Sequence, residues 1–409
     1  MATRSRAAGA ADAVLGLAPR LVFEPASTAE AAEVLAQAAG EKLHLAVVGG
    51  GTALGLGRAP SALDAVVRTS GMARILEYAP ADMVLIAEAG VTLAQIQAAA
   101  GEHRQRLALD PPEPARATVG GIVATGAAGP LRTRYGTVRD LIIGVALVLA
   151  DGRVARGGGK VVKNVAGYDL PKMACGSLGT LGMIAAANFR LHPLPELSAA
   201  ALLPGLSAAQ VPALLGRVRE AQLEPAAATA LRTSAGRFDL GLVFEGFAAG
   251  VTQQLARLQE VARAAGAGCE SLTGPAAAGL RARHDQVRGT GELRVRLAAL
   301  PSGLGAVDAL AAPLLGALTQ GAFAWYAATG VGWISGAVTE ASAAAAALAT
   351  LRDGLIGKGG SLVLECTPKA LRTLDPWGPV PPSFPLMRRL KDNFDPERRL
   401  NPGRFLGGL

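Results

Sequence analysis

Three glycine-rich phrases crowd one stretch of this 409-residue chain: TVGGIVATGAAGP from Thr118, GGGKVVKNVAGYDL from Gly157 and GSLGTLGMI from Gly176. A fourth, VVGGGTALG from Val47, lies upstream. Glycine admits positive φ and lets the main chain approach a ligand closely. A glycine turn after a strand leaves backbone N–H groups free to point at an anion such as phosphate. The chemistry implied is the grip of a large, anionic, two-ended ligand.

The elements around these phrases must aim them. Leu43 to Val48 reads as a strand running into Gly49, Gly50 and Gly51. The dinucleotide fingerprint would need GxGxxG opening a helix. Here Leu54-Gly-Leu-Gly-Arg-Ala-Pro continues as coil, so this is a phosphate loop without that helix. A helix follows Ser27 or Thr28, with Glu30 in its first turn. Strands are expected over 63–68, 74–78 and 83–89, and a short helix from Thr92 to Ala100. Asp110-Pro-Pro-Glu-Pro is rigid and extended. Thr118 caps a glycine-rich helix whose two glycines cost stability unless something packs closely against them. Arg132, Arg134 and Arg139 gather near Tyr135. Leu141 to Ala150 is a buried strand turning at Asp151-Gly152. Asp169 caps a short helix, and the last glycine loop feeds a strand from Met183 to Leu191. Beyond about 197, short strands alternate with Ala/Arg helices, with no internal repeat to use, and a final helix covers Phe384–Phe394.

Composition narrows the classes. Net charge is +8, but aromatics make up only 4% of residues and the arginines are scattered, which argues against nucleic acid and for an anionic cofactor, substrate or partner. No run of about 18 apolar residues spans a membrane. Cys175, Cys269 and Cys366 fit no metal spacing and suit a reducing compartment, so no metal site is expected and a cytoplasmic location is. Cys175 reads as a small buried hydrophobe, and Trp325, Trp333 and Trp377 as core.

The order of the signals is specific. Glycine turn, DPP, TVGG helix, RYGTVRD, strand with a DG turn, KNVAGYDL, GSLGTLG and a terminal DPERRLNPGR together resemble the FAD-linked oxidases of the vanillyl-alcohol oxidase and p-cresol methylhydroxylase (PCMH) type. Within that superfamily the chain looks most like the second flavin subunits of bacterial glycolate oxidases. The likeness covers roughly 20–193 and 394–405; 200–380 matches loosely. It implies an α+β fold: a flexible segment 1–18, a two-subdomain PCMH-type FAD-binding domain over 19–196, a smaller α+β, ferredoxin-like cap over 197–383, and a helix and tail over 384–409 that dock on the FAD domain. It places Val48, Gly49, Gly50, Gly51, Thr52, Ala53 and Leu54 around the FAD diphosphate. Pro111, Thr118, Gly120, Gly121, Ala124 and Gly129 line the ribityl and ring groove, with Tyr135 and Gly136 beside the ring. Gly179, Gly182 and Ile184 hold the adenosine end, and Asn401 reaches the flavin. The pyrimidine end of the ring needs a donor or cation; Lys163, Arg134 or a backbone N–H all qualify. With neither His nor Cys in VVGGGTALG, the FAD is expected to be non-covalent.

The catalytic relatives carry a histidine-rich HGDGNxH-like phrase in the C-terminal domain; this chain has only His284 there, and no catalytic residue is assigned. His284 reads as solvated on an arginine-rich helix, and Arg281, Arg283 and Arg288 as a solvated face. The leading expectation is an FAD-bearing subunit of a 2-hydroxy-acid (glycolate) oxidase complex, with a sister flavoprotein and an iron–sulfur subunit as partners and peripheral membrane association through them. The alternatives are a self-contained FAD oxidoreductase of a small hydroxy acid and a flavin-stabilised, non-catalytic assembly subunit.

Overall fold

The computed structural model describes residues 5–160, 169–289 and 291–409. Its contacts divide the chain into two units: residues 1–129, 136–194 and 379–409, and residues 130–135 and 195–378.

The first unit opens with β1 (Ser5–Ala7) and β2 (Leu21–Phe23). Helix α1 (Thr28–Gly40) follows, its first turn closed by the Ser27 hydroxyl accepting from Glu30 N–H. Strands β3 (Leu45–Val48) and β4 (Ala65–Arg68) complete a four-stranded sheet ordered β1-β2-β4-β3, in which β4 runs parallel to both β2 and β3. Val48 pairs with Arg68, so the chain leaves both strands at the same edge, at Gly49 and Thr69.

A second sheet is built from β5 (Ile75–Ala79) and β6 (Val84–Glu88), followed by α2 (Leu93–Gly101) and the two-residue β7 (Gln105–Arg106). Next come α3 (Val119–Thr125), the single turns α4 (Arg132–Tyr135) and α5 (Val138–Leu141), and the hairpin β8 (Ile142–Val148) and β9 (Val154–Gly158). Helix α6 (Leu170–Ala174), capped by Asp169, leads to β10 (Met183–Arg190) and the short β11 (His192–Pro193), which pairs with β7. The sheet is antiparallel, ordered β5-β6-β10-β8-β9. Phe23, Val34, Leu35, Leu45 and Val67 share one core with Val148, Met183 and Ala185 of the second sheet, so α1 ties the two subdomains together by apolar burial.

The second unit begins with β12 (Leu197–Ser207), α7 (Gln210–Glu220), β13 (Ala227–Ser234), β14 (Arg237–Gly246), α8 (Ala248–Ala264) and β15 (Glu270–Leu272). After α9 (Gly274–Gly289) the same order recurs: β16 (Leu293–Ala298), α10 (Leu304–Gly316), β17 (Leu318–Tyr326), β18 (Val331–Val338), α11 (Ala341–Ile356) and β19 (Ser361–Cys366). Each half is a β-α-β-β-α-β unit, a repeat the sequence conceals. Pairing of β13 with β17 joins them into one eight-stranded sheet, ordered β15-β12-β14-β13-β17-β18-β16-β19. Helices α7, α8, α10 and α11 bury one face through residues such as Leu214, Leu258, Leu314 and Leu351. Helix α9 packs on the other face, where Leu280 and Val287 meet Tyr326 and Trp333. Helix α12 (Phe384–Phe394) returns to the first unit. No described helix is long and apolar enough to cross a membrane.

Candidate cofactor site

The turn after β3 exposes its donors. Among the described residues, none of the N–H groups from Gly49 to Leu54 bonds a main-chain carbonyl. Six consecutive main-chain donors at the end of a parallel strand are the arrangement that suits an anion. Gly50 has no room for a side chain, because a Cβ there would collide with the Arg116 carbonyl.

Two glycine phrases interlock behind this turn. The Thr118 hydroxyl accepts from Gly121 N–H and caps α3. The helix starts against β6, with Gly120 N–H donating to the Ala89 carbonyl at 2.8 Å. A Cβ on Gly120 would stand 2.9 Å from that of Ala89, so glycine is needed for this approach. At its other end the N–H groups of Gly176 and Leu178 donate to the carbonyls of Val123 and Ala124. The GSLG loop therefore closes the C-terminus of the TVGG helix.

The terminal motif closes the third side. Asn401 N–H donates to Leu45 O (2.7 Å), and its side-chain amide to Leu178 O (2.9 Å). A buried ion pair shapes the turn that delivers it. Lys391 Nζ donates to Asp395 (2.6 Å), Thr180 O and Leu400 O, while Asp395 accepts from Arg399 and Leu400 N–H. Burial pushes the Lys391 ammonium below its ordinary range, against the pull of Asp395. Arg404 donates to the carbonyls of Leu54 and Leu56, pinning the loop beyond the glycine turn, and burial lowers its guanidinium to about 10.

These segments surround a small cavity of about 50 Å³. Gly49, Gly120, Gly121, Ala124, Gly179, Ile184 and Asn401 line it, together with Val47, Thr69, Leu178 and Met183. Two buried polar atoms on its wall, Thr69 Oγ1 and Asn401 Oδ1, have no partner among the described residues. Buried polar groups are normally satisfied, so these two point to a polar ligand. Thr69 escaped sequence reasoning because only the parallel β3–β4 pairing sets it beside Gly49. Leu178 holds φ +51° in the GSLG loop.

The other expected residues stand elsewhere. Val48 ends β3, and Gly50, Gly51, Thr52, Ala53 and Leu54 form the donor turn. Pro111 is buried, and Gly129 packs on Asp110. Gly136 packs on Asp140, Gly182 packs on Leu147 and Val148 O, and Lys163 lies outside the described residues. The arginine group around Tyr135 is divided. Arg139 donates to Lys172 O in the first unit. Arg134 and Tyr135 belong to the second, where they donate to the carbonyl and the carboxylate of Glu245. Cys175 donates to Pro171 O, and burial pushes its thiol up to about 12.

The expectation of a solvated His284 is overturned. It is buried, as is Arg288, whose guanidinium stacks 4.1 Å over the Trp333 ring. Burial, aided by Arg288 and Arg281 against the pull of Asp285, lowers His284 to about 4, so it is neutral. Arg288 donates to the Tyr326 hydroxyl (3.3 Å), which donates to His284 Nε2 (2.8 Å), leaving Nδ1–H for Asp285 (2.9 Å). His284 also lines a cavity of the second unit of about 370 Å³, alongside Thr229, Glu245 and Arg281.

Residues 19–158 match the FAD binding domain family. A D-lactate dehydrogenase of Archaeoglobus fulgidus is 39% identical over 42% of this chain and 39% of its own length. The glycolate oxidase subunit GlcE of Escherichia coli is 37% identical over 41% of this chain and 47% of its own. The matches thus span less than half of either relative. A p-cresol methylhydroxylase structure superposes with a TM-score of 0.72 over 95% of this chain and 88% of that one, at 17% identity, which shows a shared fold. Residues 19–158 therefore carry an FAD-binding domain, and the chain shares the fold of the p-cresol methylhydroxylase structure. Its cofactor is FAD. The row of free N–H donors and the two unpartnered polar atoms fit a diphosphate-bearing, polar-edged cofactor.

Proposed function

We propose that this chain is an FAD-bearing oxidoreductase subunit that serves the oxidation of a small 2-hydroxy acid such as glycolate. The donor turn Gly49–Leu54, beside a cavity edged by Thr69 and Asn401, carries the reading. In it, the turn holds the diphosphate, Gly120 and Gly121 leave room along α3, and Asn401 offers its side-chain oxygen to a ligand N–H. Bound flavin would supply hydride acceptance and electron transfer.

The likeness to a glycolate oxidase subunit favours membership of a complex, with a sister flavoprotein and an iron–sulfur subunit beside this chain. The odd number of cysteines favours a reducing, cytoplasmic setting for that complex, with any membrane association made through partners. Purified alone, the protein is expected to be yellow and to reduce dye with glycolate poorly, gaining activity when the other subunits are added. A complex that works equally well without this chain would contradict the reading.

The second reading, a self-contained oxidoreductase, is favoured by the His284–Tyr326–Arg288 cluster. A neutral histidine oriented by a carboxylate can receive a proton through the tyrosine hydroxyl. Fast turnover of a 2-hydroxy acid by the isolated chain, abolished in Tyr326→Phe, would support it.

A further inference from the structure

Arg116 stands beside the donor turn. Its backbone carbonyl is what excludes a side chain from Gly50. Its guanidinium curls back to donate to the Gly50 carbonyl at 3.1 Å, and a Cβ on Gly51 would lie 3.8 Å from its Nη2. The other guanidinium nitrogen pairs with Glu113 at 2.6 Å. Glu113 sits at φ +52°, a conformation uncommon for a non-glycine residue, within a turn stiffened by Pro111, Pro112 and Pro114. Both side chains are exposed, at 60% and 36%, so neither is locked in place by burial.

We propose that Arg116 is the cation for the FAD diphosphate, and that Glu113 is its internal counter-ion, exchanged for the diphosphate when the cofactor binds. Six N–H donors supply direction without net charge; a guanidinium tethered to the same turn supplies the missing positive charge. Arginine matches phosphate oxygens with a rigid fork of donors. The Glu113 carboxylate holds one arm of that fork and must yield it to a phosphate oxygen, so it opposes binding. The proposal rests on the FAD site of the first unit and not on the substrate or the complex.

The test is a titration of flavin-stripped protein with FAD, followed by flavin fluorescence at low and high salt. Arg116→Gln should weaken binding about tenfold at low salt and flatten the salt dependence. Arg116→Lys should recover part of the affinity, and Glu113→Gln should bind FAD more tightly than the wild type. Arg116→Gln binding as tightly as the wild type would overturn the proposal. So would a loss equal at both salt concentrations and accompanied by a lower melting temperature of the flavin-free protein, which would make Arg116 only a tether of the Gly50 turn. Failure of the wild type itself to bind FAD would instead remove the cofactor site on which the proposal stands.

Discussion

Asn401 donates its side-chain amide to the carbonyl of Leu178, a partner 223 positions away in the chain, at 2.9 Å. The bond joins the terminal LNPGR motif to the GSLG loop, and the same residue is tied to β3 through its backbone. Three glycine phrases and the chain end thereby enclose one cavity. Asn401→Ala strands the buried Leu178 carbonyl, a loss of about 1–3 kcal/mol. Thermal melting should register it, and FAD affinity should fall with it.

Gly121 and Gly120 should part company when substituted. A Cβ on Gly121 meets only Thr118 Oγ1, at 3.3 Å, and points where the cavity lies. Gly121→Leu should fill the cavity and abolish FAD binding with the flavin-free melting temperature kept or raised, since glycine inside a helix costs up to about 1 kcal/mol. Gly120→Ala forces α3 off Ala89 and should lower that temperature. Circular dichroism melts with FAD titrations separate the two.

Lys391 tests the clasp behind Asn401. Lys391→Met leaves Asp395 buried without its cation, and breaking such a pair costs about 3–5 kcal/mol. Denaturant unfolding of the first unit should shift by that amount. Flavin affinity should fall too, because the Asp395–Leu400 turn presents Asn401.

His284 gives a pH signature. Its folded value, about 4, lies below the ordinary 6.5 because of burial. The unfolded chain therefore binds the proton first, and the stability this residue contributes is complete above pH 6.5 and lost as the pH falls towards 4. Unfolding followed by fluorescence of Trp333, which Arg288 covers, should show this loss; His284→Gln should flatten it.

Much of the first unit was legible because its signals are local. Thr118 and Asp169 are capping residues at helix starts, and a glycine turn after an apolar strand advertises free donors. Thr69 was invisible because its place depends on which strands pair. Asn401 could be named only through the resemblance, since nothing local says that a Pro/Gly-rich tail folds back onto Leu45 and Leu178. In the second unit the repeated β-α-β-β-α-β order is hidden because strand edges such as Leu197–Ser207 carry little contrast in alanine-rich sequence. His284 was misread because flanking arginines mask a buried stripe. Leu280, His284 and Val287 follow helical spacing, and Arg288 joins them by stacking on Trp333.

The central claim is that the first unit holds one FAD, non-covalently, in the cavity between the Gly49–Leu54 turn, α3 and Asn401. The most direct test strips the purified chain of flavin, titrates it with FAD and then precipitates the complex with acid. The account predicts saturation at about one FAD per chain, loss of that binding in Gly121→Leu, and all of the yellow colour in the supernatant. No saturable binding, undiminished binding in Gly121→Leu, or flavin remaining with the precipitated protein would contradict it.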